Sequence, residues 1–117
     1  MRLSEVEFND APPIDGYGPG FFRIAGEVQR GAVILDPRGS HVWAGYDDLD
    51  HLIGLAGEID VLFIGTGAET RHVPSEFREK LEAAGLGVEA MASPAACRTY
   101  NVLLSEGRHI AAALLPI

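Results

Sequence analysis

Short hydrophobic runs in the first third of the chain predict β-strands. Phe21–Ile24, Gly31–Leu35 and Ser40–Trp43 carry β-branched or aromatic residues and are separated by turn-forming residues. Residues 36–39 read Asp-Pro-Arg-Gly, which is typical of a type I turn, because Asp accepts local backbone hydrogen bonds and Pro presets φ at the second position. We therefore expect these three runs to form one antiparallel β-unit.

Glycine and proline dominate the segment before these strands. They are Pro12, Pro13, Gly16, Gly18, Pro19 and Gly20. This density is unfavourable for a helix or a long strand, so we expect residues 1–20 to be an irregular lead-in. Tyr17, Phe21 and Phe22 adjoin these glycines, and the sequence leaves two interpretations open. The aromatic rings form an exposed contact surface, or they pack down over the sheet.

A helical period replaces the strand pattern after residue 47. Apolar side chains recur at positions i, i+3, i+4 and i+7, which places them on one face of a helix. They are Leu49, Leu52, Ile53 and Ala56. We expect Asp47 or Asp48 to cap this helix and Gly57 to end it, because a short acidic side chain accepts hydrogen bonds from free N–H groups and glycine adopts a left-handed conformation.

The second half of the chain alternates strands and helices. Val61–Ile64 is apolar without alternation, as expected for a central strand that is buried on both faces. Pro74–Ala84 follows with an apolar face, starts with a proline and ends before Gly85, which predicts a helix. Val88–Met91 is the next strand. Since the helix is long enough for a crossover, we expect the two strands to be parallel neighbours.

A third helix and a last strand complete the pattern. Ser93 is expected to cap the helix, with Pro94 at its first position and a run to about Glu106, where Gly107 supplies a left-handed stop. Ile110–Leu114 is the last strand. The order of elements predicts an α/β fold, a three-layer single domain over residues 1–117. It has a mixed central sheet with βαβ crossovers and an N-terminal antiparallel β-hairpin layer.

The charge of the chain limits the classes of partner that it is expected to bind. The formal net charge is −8, and residues 1–60 hold eleven acidic and four basic residues, against six and five in residues 61–117. A phosphate backbone is repelled by the first half and little attracted by the second, so we expect no nucleic-acid partner. A protein partner with a basic or neutral surface is favoured. The sequence leaves the oligomeric state open.

Cysteine and histidine usage bears on compartment and cofactors. Cys97 is the single cysteine, which excludes an internal disulfide and fits a reducing compartment. The four histidines are scattered without ligand spacing, so we expect no metal site and no cofactor. They are His41, His51, His72 and His109. No apolar run approaches the roughly 20 residues of a membrane-spanning helix, and the N-terminus lacks a signal-peptide core. We expect a cytoplasmic protein.

The first candidate site is the loop Gly65-Thr66-Gly67. Glycines after a strand let an anion approach backbone N–H groups, Thr66 adds a hydroxyl, and Arg71 lies close enough in sequence to clamp the anion. The dinucleotide fingerprint is incomplete, because a third glycine is missing at Thr70 and the helix begins late. A tight turn after a buried strand is the favoured interpretation.

The start of the third helix is the second candidate site. Cys97, Arg98 and Asn101 follow Ser93 within its first turns. A thiol near a helix N-terminus can be an activated nucleophile, but the sequence nominates no base, so Cys97 is interpreted as a small buried hydrophobic residue. Asn101 on a half-buried face is interpreted as a structural brace. Both candidate loops follow parallel strands, so they are expected to lie side by side on one rim.

Four segments in this order carry a family resemblance: Tyr17–Phe21, Leu62–Gly67, Leu81–Glu89 and Ala95–Arg108. From about residue 5 to the C-terminus the chain resembles the Mth938-like domain family. That family includes mitochondrial complex I assembly factor three and the adipogenesis-associated domain protein. The resemblance implies a three-layer α/β domain and a role in assembly, and it provides no catalytic residues.

Three functional hypotheses follow. The first is a non-enzymatic binding or assembly-factor domain that holds a partner protein at the loop edge. The second is an anion- or metabolite-binding protein or enzyme acting at Gly65-Thr66-Gly67 with Arg71 and Arg98. The third is a structural domain with an oligomeric role. An arginine in a concave pocket would favour the second hypothesis, and a flat apolar patch would favour the first.

Overall fold

The structure is a computed structural model that describes residues 11–117. Eight strands and three helices follow one another along these residues. In chain order they are β1 (Ile14–Gly18), β2 (Phe21–Ile24), β3 (Glu27–Arg30), β4 (Val33–Asp36), β5 (Gly39–Val42), α1 (Asp50–Ile53), β6 (Val61–Thr66), α2 (Ser75–Ala83), β7 (Gly87–Met91), α3 (Ser93–Ser105) and β8 (Ile110–Leu115).

The strands form two sheets. A three-stranded antiparallel sheet has the order β1-β2-β3, and a five-stranded mixed sheet has the order β5-β4-β8-β6-β7. In the larger sheet β6 is parallel to both β7 and β8, with Leu62 opposite Val88 and Ala111. The predicted parallel pairing of Val61–Ile64 with Val88–Met91 is confirmed. The α/β class with a mixed sheet and crossover helices is confirmed as well.

Two apolar cores lie on opposite faces of the larger sheet. One face is covered by α1 and α2, which contribute Leu52, Phe77 and Leu81 to the core. The other is covered by α3 and the small sheet, where Phe22 and Tyr100 are fully buried. The result is the predicted three-layer arrangement.

The expected irregular lead-in is wrong for β1. Ile14–Gly18 pairs with β2. The ring of Phe21 lies over Gly18, and a Cβ atom added to Gly18 would lie 2.5 Å from Cε1 of Phe21. The glycine in this strand therefore makes room for an aromatic ring, and the glycine-rich composition does not prevent pairing. The first ten residues of the expected lead-in lie outside the described part of the chain.

The expected single antiparallel unit is also corrected. β2 pairs with β1 and β3, whereas β4 pairs with β5 and β8 in the other sheet. The physical reason is burial: all four residues of β4 are buried, so this strand needs cover on both faces. β3 was missed because Val28 is its one apolar residue, and that side chain is 46% exposed.

The first helix is shorter than predicted. α1 spans Asp50–Ile53, its N-cap is Leu49, and no side chain caps it. Asp48 instead accepts a hydrogen bond from the N–H of Ala44 at 3.1 Å. After Ile53 the chain continues in turns, with Leu55 N–H donating to Leu52 O. Of the predicted face, Leu52 is buried and both Leu49 and Ala56 pack against the core, whereas Ile53 is exposed. Leu55, outside the predicted face, is buried as well. The later stops at Gly85 and Gly107 are confirmed, with φ of 96° and 79°.

Candidate functional site

The rim at the carboxyl ends of β6 and β7 brings the two predicted loops together. Ser93 N–H donates to the carbonyl of Gly67 at 2.7 Å, and Gly67 N–H donates back to Ser93 Oγ at 3.0 Å. The predicted side-by-side placement of the Gly65-Thr66-Gly67 segment and the start of α3 is therefore confirmed. The prediction of a loop is wrong for Gly65 and Thr66, which are the last two residues of β6 because the strand continues its pairing with β8.

Ser93 does not cap α3, contrary to expectation. The N-cap is Ala92, which has no side-chain cap, and Pro94 lies in the first turn. The Ser93 hydroxyl donates to the carbonyl of Leu115 at 2.6 Å, and the residue is 1% exposed. It thereby joins α3 to the ends of β6 and β8. A Cβ on Gly65 would lie 2.6 Å from this hydroxyl, so the close contact requires glycine.

Thr66 braces the loop from inside. Its hydroxyl donates to the carbonyl of Glu69 at 2.6 Å, accepts the N–H of Arg71 at 3.1 Å and lies 3.2 Å from the carbonyl of Met91. The residue is 6% exposed. Because these polar groups and Gly67 N–H are satisfied within the protein, the loop itself offers an incoming anion few donors.

Arg71 lies at an open groove beside this loop. The groove has a volume of about 280 Å³ and is lined by Thr70, Arg71, His72, Val73, Arg78 and Ala90. Arg71 is paired with the carboxylate of Glu69 at 3.3 Å. Arg78 donates to the carbonyl of Val88 at 3.0 Å. The groove is concave and carries arginines, as the anion hypothesis requires, but both arginines already have acceptors.

Arg98 lies on the exposed face of α3. With Thr99, Val102 and Leu103 it lines a shallow, mainly apolar depression of about 260 Å³. Val102 is 55% exposed. Across residues 11–117 no carboxylate forms an ion pair with Arg98. This face combines an available positive charge with an apolar surface, which is the arrangement that the first hypothesis requires.

Asn101 contacts β1 rather than the rim. Its Oδ1 accepts the N–H of Ile14 at 2.9 Å, and its Nδ2 donates to the carbonyl of Ile14 at 2.7 Å. The side-chain amide thus pairs with β1 as a neighbouring strand would. Eight residues of helix, about 12 Å, separate Asn101 from Ser93. The structure therefore gives Asn101 a bracing contact.

Cys97 is buried, as predicted, with 3% of the residue exposed. Burial raises the pKa of the Cys97 thiol to about 11, although the nearby positive charge of Arg98 lowers it in part. At neutral pH the group is therefore a thiol rather than a thiolate. An activated nucleophile requires the opposite shift.

Cys97 is accordingly expected to react slowly with thiol reagents in the native protein. With a pKa of about 11, roughly one thiol in a thousand is ionised at pH 8. The labelling rate measured by mass spectrometry should still be rising with pH at pH 10, one unit below the pKa, and should increase sharply in denaturant. Cys97→Ala should keep the native circular dichroism spectrum. Complete labelling of native protein within seconds at pH 7 would contradict this expectation.

Each of the two interpretations of the aromatic segment 17–22, burial over the sheet and surface exposure, applies to one of its residues. Phe22 is fully buried in the core beside α3, and Tyr17 is 40% exposed. Tyr17 and Phe22 are register partners, so they lie on one face of the small sheet, but Tyr17 is on the edge strand β1 and Phe22 is on the central strand β2. A core role therefore applies to Phe22 and surface exposure to Tyr17.

One cluster of polar side chains was not predicted from the sequence. The carboxylate of Asp36 lies 3.1 Å from His41 Nε2 and 2.6 Å from His51 Nε2. The expectation that the histidines are scattered is wrong for this pair. The predicted turn already implied that Asp36 and His41 share a face, since it pairs residue 36 with Gly39. Nothing in the sequence placed His51 beside them.

A comparison with protein families shows which family the chain belongs to. The model of a family described as "Protein of unknown function (DUF498/DUF598)" matches residues 14–115. The chain belongs to the DUF498/DUF598 family. Relatives are consistent with this assignment: an uncharacterized protein of Rhodobacter capsulatus is 51% identical over 117 residues, which cover 100% of this chain and 94% of the relative.

Another relative has a name that states a role. NADH dehydrogenase (ubiquinone) 1 alpha subcomplex assembly factor 3 of Danio rerio is 38% identical over 99% of this chain and 71% of its own length. The predicted similarity to complex I assembly factors is confirmed at the level of homology. The family resemblance therefore extends over nearly the whole chain.

Solved structures of similar proteins share the fold. A Bordetella pertussis protein described as an Mth938-like domain has a TM-score of 0.72 and 28% identity, covering 99% of this chain and 92% of its own. The predicted Mth938-like resemblance is confirmed. A structure titled as an outer membrane protein from Bartonella henselae has a TM-score of 0.83 and 38% identity, covering 91% and 95% of the two chains. Within residues 11–117, no helix is long and apolar enough to cross a bilayer.

Proposed function

We propose that this chain is a non-enzymatic, assembly-factor-like domain that binds a partner protein through the exposed face of α3. The observation that carries the proposal is the surface around Arg98, where a guanidinium without an acidic partner among residues 11–117 adjoins the 55%-exposed side chain of Val102. Protein interfaces combine apolar contact with charged groups that select the partner.

Homology supports a protein partner. The Danio rerio relative is named as an assembly factor of NADH dehydrogenase, and it is similar to 99% of this chain. We therefore extend the proposal to the assembly of a respiratory complex. The partner surface that fits is apolar with an acidic group opposite Arg98, because the guanidinium pairs best with a carboxylate.

The other predicted site residues have positioning roles in this proposal. Arg98 and Arg71 provide charge at the surface, and the remaining predicted site residues hold the loop and α3 in place. These are Gly65, Thr66, Gly67, Ser93 and Asn101. An acyl-transfer or redox role for Cys97 is disfavoured because burial keeps it a thiol.

The alternative, an anion or metabolite at the Gly65-Thr66-Gly67 loop, has weaker support. Gly67 N–H and the Thr66 hydroxyl already bind within the protein, and Arg71 is paired with Glu69. An anion would have to displace that carboxylate. The exposed face of α3 needs no such rearrangement.

Arg98→Glu is expected to weaken partner binding by about 1–3 kcal/mol while leaving the thermal midpoint nearly unchanged. The reason is that the substitution reverses a charge at the proposed contact, whereas the Arg98 side chain is exposed and outside the core. Affinity purification from the organism that encodes the chain, followed by mass spectrometry, identifies the partner. Titration of that purified partner with the wild type and the variant measures the loss.

Lys80→Glu is the matched control, because Lys80 is exposed on α2, on the opposite face of the sheet. It makes the same change of charge and should bind like the wild type. If Arg71→Glu removes binding and Arg98→Glu does not, the binding site is the groove beside Arg71, and the result favours the alternative of an anion-binding site. If Arg98→Glu unfolds the protein, Arg98 is a structural residue.

We also propose a cytoplasmic location. A buried free thiol as the single cysteine fits a reducing compartment. The similar Bartonella henselae structure is titled as an outer membrane protein, so the question is experimental. Cell fractionation with an antibody against the chain should find it with cytoplasmic markers, and recovery with outer-membrane markers would refute the proposal.

A further inference from the structure

The side-chain cluster of Asp36, His41 and His51 lies at the opposite end of the sheet from the rim. β4 runs antiparallel to β8, and Val33, its first residue, pairs with Leu114, which also pairs with Gly65 at the rim. Asp36, at the other end of β4, is therefore remote from Arg98 and from the Gly65-Thr66-Gly67 loop. The cluster is independent of the proposed binding surface.

Three elements build the cluster on one face of the sheet. The β4–β5 hairpin places His41 diagonally opposite Asp36, and α1 brings His51 against both. The two imidazole rings lie 4.3 Å apart between centroids, tilted by 48°. The ligand-type atoms of the three side chains all lie within 4.8 Å of one another.

The Asp36 carboxylate is oriented by the backbone. Arg38 N–H donates to its Oδ1 atom at 2.7 Å, and its Oδ2 atom faces both histidine Nε2 atoms, at 3.1 Å for His41 and 2.6 Å for His51. Asp36 is fully buried, while the histidine side chains are 33% and 31% exposed. A small ion can therefore enter from solvent on the imidazole side.

We propose that Asp36, His41 and His51 bind a divalent transition-metal ion of the zinc type. Two neutral imidazoles and one carboxylate are a ligand set that such ions prefer, whereas calcium and magnesium prefer oxygen alone. Three protein ligands leave a fourth position, which the solvent-facing side supplies with water.

The two distances between the Asp36 carboxylate and the imidazole nitrogens require only a small adjustment. Tetrahedral ligands at about 2.0–2.1 Å from zinc are roughly 3.3 Å apart, close to the 3.1 Å between His41 Nε2 and Asp36 Oδ2. His51, at 2.6 Å, has to withdraw by about 0.7 Å, and it lies on a short, partly exposed helix that can shift. On binding, each imidazole keeps a proton on Nδ1 and presents the Nε2 lone pair to the ion.

The first test measures zinc binding to untagged, chelator-treated protein by isothermal titration calorimetry. A single Zn²⁺ per chain is expected, with a rise in the thermal midpoint. His41→Gln and His51→Gln should each bind at least about 100-fold more weakly, because the loss of outer-shell partners alone costs roughly 10–100-fold. His109→Gln is the matched control, since His109 is exposed and outside the cluster. It should bind like the wild type.

A second test needs no substitution. In the wild-type protein, Zn²⁺ should shift the imidazole NMR signals of His41 and His51 and leave those of His72 and His109 in place. No binding at micromolar free Zn²⁺ would overturn the proposal and would mean that the two imidazoles serve only to satisfy the buried carboxylate. Binding that survives both His41→Gln and His51→Gln, or shifts confined to His72 or His109, would overturn it as well.

Discussion

Phe63→Ala is expected to lower the free energy of unfolding by about 3–5 kcal/mol. Phe63 is 3% exposed and packs in the core between the larger sheet and α3. Its neighbour on β8 is Ala112, a small residue that cannot fill the space a missing ring would leave. The substitution therefore removes apolar contact and leaves a cavity.

Urea denaturation followed by circular dichroism measures this loss. Val42→Ala is the matched control, because Val42 is 83% exposed on the edge strand β5 and should change the free energy of unfolding by no more than about 0.5 kcal/mol. A loss below roughly 1 kcal/mol for Phe63→Ala would show that its ring is not in the core.

Asn101→Leu is expected to destabilise the protein by about 2–4 kcal/mol, because it leaves two backbone groups of Ile14 without partners. Ile14 is 5% exposed, so water replaces the lost hydrogen bonds poorly. The most specific sign is local: the Ile14 amide should lose protection in NMR hydrogen exchange, as β1 separates from α3.

Ser105→Ala tests whether this effect is particular to Asn101. Ser105 lies on the same helix, is exposed, and donates to the carbonyl of Val102 one turn earlier. It should change stability by no more than about 0.5 kcal/mol and leave the exchange of Ile14 unaltered. Equal losses of Ile14 protection in both variants would mean that the Asn101 amide does not hold β1.

The second half of the fold could be predicted from the sequence because its signals are local. The glycines at 85 and 107 end helices, and the apolar run that begins at Val61 marks a strand buried on both faces. The first half was predicted less well. Its strands are four or five residues long, and β3 is largely polar, so period and hydropathy carry little information.

The rim shows the same division at the level of single residues. Topology alone placed the Gly65-Thr66-Gly67 loop beside the start of α3, since right-handed crossovers leave both on one edge. It did not reveal that Ser93 binds Gly67 and Leu115 rather than capping its own helix. The Ser93 hydroxyl donates to a nearby carbonyl group, and that carbonyl belongs to Leu115, twenty-two residues away in the sequence.

The sequence by itself determined the order of the elements from β6 to β8, most of their ends and the pairing of β6 with β7, because these follow from local propensity and crossover length. Only the tertiary structure decided that β2 and β4 belong to different sheets and that His51 lies against Asp36. Those contacts join residues with no shared local pattern. They arise because the covering layers of the fold bring buried polar groups to the partners that can satisfy them.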